Sequence, residues 1–121
     1  MKRLYAVRGA VQCLNTVQDI CGQVSLMYGE ILANNKLDEA DIVSLIFSVT
    51  DDLDAINPCT ALRKSGNASE LALFSAREPE TQNSLERTVR LLVHCYLEEG
   101  TQPRHVYRNG AEVLRPDRAK K

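Results

Sequence analysis

The chain has 121 residues, enough for one domain around one modest core. Hydrophobic residues make up 44% and charged residues 26%, the balance of a globular domain rather than a disordered or membrane-embedded chain. A net charge of -1 excludes a global basic field for nucleic acid, and no apolar run approaches the ~18 residues of a membrane span.

Leu4-Tyr5-Ala6-Val7 reads as a short strand that ends at Arg8-Gly9-Ala10. From Thr16 to Ala33, Val17, Ile20, Cys21, Val24, Met27, Tyr28, Ile31 and Leu32 recur at three- and four-residue steps, which predicts a long helix with one apolar stripe. Thr16 is its expected N-cap, with Asp19 three residues on, and Asn34-Asn35 its stop. Ile42 to Thr50 is β-branched and almost continuously apolar, so it is expected to be a central strand buried on both faces. Asp51-Asp52-Leu53-Asp54 breaks it. Asn57-Pro58 supplies a cap followed by proline at the first helical position, opening a short helix that ends near Ser65-Gly66.

Glu70 to Ser75 reads as a further strand. A second long helix is expected from about Asn83 to Leu97, with Leu85, Val89, Leu92, Val93, Tyr96 and Leu97 on one side. Asn109-Gly110 lies between Arg104–Arg108 and Ala111–Leu114, a strong two-residue hairpin signal. The order predicts an α+β fold, one domain over residues 1–121, with two long helices packed on one face of a mixed β-sheet. No helix remains for the other face, so a subunit interface is its expected cover.

Cys13, Cys21, Cys59 and Cys95 form no C-x-x-C pair and have no accompanying His-x-x-x-His, so neither a metal site nor a cofactor is expected. Free, mostly buried thiols in a cytoplasmic protein are the economical reading. His94 and His105 are read as structural or surface histidines, and covalent catalysis has little support without a nucleophile motif. The arginines are more telling. Arg8 closes an apolar strand, and Arg90, about 140° round a wheel that starts at Leu85, borders the apolar side of its expected helix. Taken alone, Arg90 reads as a snorkelling arginine whose stem covers apolar surface. Arg63 and Arg115 are solvated by default, Glu78 is a loop carboxylate, and Tyr107 is a half-buried strand aromatic.

Taken together these residues change the picture. Arg104-His105-Val106-Tyr107, followed by Ala111-Glu112-Val113-Leu114-Arg115-Pro116-Asp117, resembles the C-terminal signature of the trimeric α/β-class chorismate mutases. Val7-Arg8-Gly9-Ala10 resembles the family's opening, and Asp52-Leu53-Asp54-Ala55-Ile56-Asn57-Pro58 its central motif, with Ala61 and Arg63 following. Glu78 and Arg90 fall at the family's spacing without a gap.

The resemblance implies conversion of chorismate to prephenate by a pericyclic rearrangement, in a homotrimer with sites between subunits and without cofactor or metal. It makes Arg90 the donor to the ether oxygen and to the enolpyruvyl carboxylate, with Arg8 and Tyr107 at that same carboxylate. It puts Glu78 at the substrate hydroxyl and opposite the positive charge developing on the ring. Arg63 and Arg115 would guard the mouth, and Phe74, Ser75 and Leu114 would line the substrate.

Ser75 stands where well-known members have cysteine, Phe74 replaces a small polar residue, and Asn57 and Thr60 replace a phenylalanine and a lysine on the rim. Two alternatives remain: an imine/enamine deaminase of similar topology, and a non-catalytic trimeric metabolite-binding protein.

Overall fold

The computed structural model describes residues 1–114. Its elements are β1 (Lys2–Gln12), α1 (Val17–Asn34), β2 (Ile42–Val49), α2 (Pro58–Lys64), β3 (Leu73–Arg77), β4 (Thr88–Glu98) and β5 (Val106–Arg108). Short 3-10 turns occupy Glu39–Asp41 and Ala111–Leu114. The five strands form one mixed sheet in the order β3-β2-β4-β1-β5. β4 is antiparallel to both neighbours, whereas β3 runs parallel to β2 and β5 parallel to β1.

Both helices form where local chemistry starts and stops them. The Thr16 hydroxyl accepts the Asp19 N–H at 3.0 Å, and the Asn57 side-chain oxygen accepts the Cys59 N–H at 2.8 Å. α1 then buries Ile20, Val24, Met27, Tyr28 and Ile31 against the sheet, and α2 buries Cys59, Ala61 and Leu62 beside it. Gly9 marks the closest approach. A Cβ there would lie 2.9 Å from Ile31 Cδ1 and 3.0 Å from Met27 Sδ, so a larger residue would require these two side chains to shift.

The expected second long helix at 83–97 is β4, so the helical layer holds one long helix and one of two turns. Val89, Leu91, Val93, Cys95 and Leu97 alternate inward towards the helices, and Arg90, Leu92, His94 and Tyr96 point to the other face. Apolar residues on both sides of the strand imitate a helical stripe. What decides for strand is pairing along both edges, with β1 over its whole length and with β2 over most of it.

The wheel argument for Arg90 therefore falls, and its place on the open sheet face replaces it. β1 also extends further than expected, which puts Arg8 within the strand instead of at its end. β3 begins later, at Leu73. β2 is buried on one side only, through Leu45 and Phe47, with Ile46 on the open face. The Asn109-Gly110 turn forms, with both residues at positive φ, but no hairpin follows. β5 pairs in parallel with β1, and the returning arm coils into the turn at Ala111–Leu114, where the Glu112 carboxylate accepts the Gly110 N–H at 2.8 Å.

Candidate active site

Side chains on the open face are placed by strand register. Ser48 on β2, Arg90 on β4, Ala10 on β1 and Tyr107 on β5 form one row across four strands. The next row holds Phe74 on β3, Ile46, Leu92 and Arg8. The rows point the same way because they lie two residues apart. Ala10 is 1% exposed and forms a small floor between Arg90 and Tyr107. Around it opens a cleft of about 560 Å³, walled by Arg8, Arg90 and Tyr107 with Ser48, Ile46 and Leu92, and closed at one end by Leu114.

Glu78, just beyond β3, does not itself line this cleft but touches two residues that do, Ser48 and Arg90. Its N–H donates to the Val49 carbonyl at 2.8 Å, which continues the pairing with β2 and holds its side chain over that strand. Its carboxylate accepts a hydrogen bond from the Ser48 hydroxyl and stands 3.4 Å from Arg90 Nε. At that contact Arg90 Nε is buried yet has no hydrogen-bond partner among the described residues. A buried guanidinium donor without a hydrogen bond is costly, and the Glu78 carboxylate 3.4 Å away offsets part of that cost by its charge.

His105 introduces β5 beside the same cleft. Its Nδ1 accepts the backbone N–H of Arg8 at 2.9 Å. Burial pushes the Cys13 thiol up to about 12 and raises the thiols of Cys59 and Cys95, so these three are poor nucleophiles. No cluster of three or more His, Cys, Asp or Glu residues suited to a metal occurs among the described residues.

The site residues inferred from sequence separate into two groups. Arg8, Arg90, Tyr107 and Leu114 line one cleft, with Glu78 at Arg90. Arg63, Phe74 and Ser75 lie at the other edge of the sheet. Phe74 is 65% exposed on the open face, three strand spacings or about 14 Å from the Arg8 strand. Ser75 pairs with the buried Phe47 on the helix side, and its hydroxyl accepts the Asn57 side-chain amide at 2.9 Å. Arg63 is in the last turn of α2. Arg115 lies outside the described residues. Ser48 and His105 are additions that the sequence reading did not place here. Ser48 carried one signal, as a polar residue inside the apolar run of β2.

The type I chorismate mutase family model matches residues 4–118. The chain is 32% identical to chorismate mutase AroH of Thermus thermophilus over 114 residues, 92% of this chain and 93% of that protein. It is 26% identical to chorismate mutase AroH of Bacillus subtilis (strain 168) over 113 residues, 92% of this chain and 89% of that one. A solved chorismate mutase from Clostridium thermocellum superposes with a TM-score of 0.81 at 38% identity, covering 91% of this chain and 99% of the other. The resemblance carried by the arginine, tyrosine and proline motifs thus extends over nearly the whole sequence and the whole fold. The chain belongs to the type I chorismate mutase family.

Proposed function

We propose that the chain converts chorismate to prephenate, and that the Arg90 guanidinium, which lines the cleft with Arg8 and Tyr107 and is ion-paired to Glu78 at 3.4 Å, carries this reading. The reaction breaks the substrate's ether C–O bond as a new C–C bond forms within the same molecule. Protons stay in place and no covalent enzyme intermediate arises. Catalysis then consists of holding a flexible dicarboxylate in its compact reactive shape and stabilising the charge that separates as the ether opens.

Arg90 donates to the ether oxygen, where negative charge grows, and to the enolpyruvyl carboxylate. Its planar fork suits both and stays cationic at any working pH. Arg8 and the Tyr107 hydroxyl bind that carboxylate from β1 and β5, on the same cleft wall. Glu78 accepts the substrate hydroxyl and faces the positive charge developing on the ring. Its link to Ser48 fixes the carboxylate before substrate arrives.

The second group of residues completes the site from a neighbouring subunit of a homotrimer. The open sheet face supports this, because Leu4, Ile46, Phe74 and Tyr96 expose apolar surface where the other face is covered by helices. Arg63, Phe74 and Ser75 of the neighbouring subunit then approach the Arg8–Arg90 cleft. The type I family offers no support for a deaminase or a non-catalytic binder. The same reading places the enzyme in the cytoplasm, where its buried thiols remain reduced.

The test is a spectroscopic assay of chorismate loss and prephenate formation by purified protein, with molecular mass measured on the same sample. Turnover by a species of three chains is expected. Absence of prephenate would overturn the activity, and turnover by a monomer would overturn the shared site.

A further inference from the structure

Arg8 owes its orientation to a side chain with no place in the chemistry proposed above. β1 pairs with β4 along one edge and with β5 along the other, and successive N–H groups of β1 point alternately to the two edges. The Arg8 N–H points to the β5 edge. The β5 ladder begins one residue further on, where Gly9 is paired with Val106. At Arg8 no backbone carbonyl takes the next rung, and His105 fills it with its ring: Nδ1 accepts the Arg8 N–H at 2.9 Å.

We propose that His105 is a positioning residue for Arg8 and Tyr107, its imidazole acting as one added rung between β1 and β5. This rests on the reading that the two side chains hold the same substrate carboxylate. The N–H that His105 holds is attached to the Cα carrying the Arg8 side chain, so the bond fixes the direction in which that side chain leaves the strand. Two residues after His105, Tyr107 is paired with Ala10 and lines the same cleft. One ring therefore sets the spacing of two carboxylate-binding groups that come from strands far apart in sequence. As an acceptor, Nδ1 carries no proton, so the ring is held as the neutral tautomer with its proton on Nε2.

Asparagine offers a selective replacement, because its Oδ1 is bonded to Cγ as Nδ1 is and falls close to the same position. Leucine fills similar volume without an acceptor. His105→Asn is expected to keep kcat/KM for chorismate within about threefold of the original. His105→Leu should lower it about tenfold, mainly through KM, with the assembly mass unchanged. Equal losses in two folded variants would show that ring volume matters and the acceptor does not, overturning the proposal, as would an unimpaired leucine variant.

If His105→Leu does not fold, the native protein decides through the nitrogen-15 spectrum of the His105 ring and the exchange of the Arg8 amide. An unprotonated Nδ1 with a protected amide supports the added rung, whereas a protonated Nδ1 or a freely exchanging amide overturns it. Absence of mutase activity in the unaltered protein would overturn the catalytic reading itself. Retained activity with unaltered kinetics in His105→Leu would overturn only the role of His105.

Discussion

The two faces of the sheet are built from the same strands and differ in almost everything else. On the helix side, Val7, Leu45, Phe47 and Val93 are fully buried and form a continuous apolar layer with α1 and α2. On the open side, Leu4, Phe74 and Tyr96 remain largely exposed, and Arg8 and Arg90 stand among them. The covered face has no room to spare, as the Gly9 contact with Met27 and Ile31 shows. The open face keeps a cleft, an ion pair at Arg90 and an unsatisfied guanidinium donor. The packed core lies on one side and the candidate site on the other, within strands that alternate between the two residue by residue.

That division can be broken from either side. The largest expected effect is Phe47→Ala, which opens a cavity in a fully buried position and should destabilise the chain by about 3–5 kcal/mol in denaturant unfolding. A change below about 1 kcal/mol would show that the covered face is not the main source of stability.

Next comes Arg90→Ala. Loss of one preorganised donor should raise the chemical barrier by about 3–4 kcal/mol, several hundredfold in kcat, while the thermal midpoint stays close to the original. A raised KM with unchanged kcat would reduce Arg90 to a binding group. A large fall in melting temperature would mean that the open face also holds the fold together.

Gly9→Ala should have the smallest effect, about 1–3 kcal/mol of stability, because one added methyl pushes on Met27 and Ile31. Gly9 lies beside Arg8, so this substitution also sharpens the contrast. If the strain stays on the covered side, kcat falls far less than in Arg90→Ala. Equal losses would show that displacement of β1 passes through the strand to Arg8.

Legibility in the sequence followed how local each signal is. The caps Thr16 and Asn57 and the apolar spacing of α1 act within a few residues, and the structure has both helices at the expected places. β4 went the other way. Leu92 and Tyr96, needed on the open face, filled the gaps in its alternation and imitated a helix. Asn109-Gly110 specified a turn correctly, but nothing local specified that β5 would pair with β1 in parallel and not with its own returning arm.

By itself the sequence determined the α+β class, α1 and α2 and, through motif resemblance, the family, and it proposed Arg8, Glu78, Arg90 and Tyr107 as the central residues. Only the tertiary structure decided how they meet. Arg90 and Tyr107 stand on either side of Ala10, Glu78 meets Arg90 beside Ser48, and His105 meets the Arg8 N–H, each through strand register between segments tens of residues apart. The physical reason is that helical order is set by neighbours three and four residues away, whereas a site on a sheet is set by hydrogen bonds between distant strands.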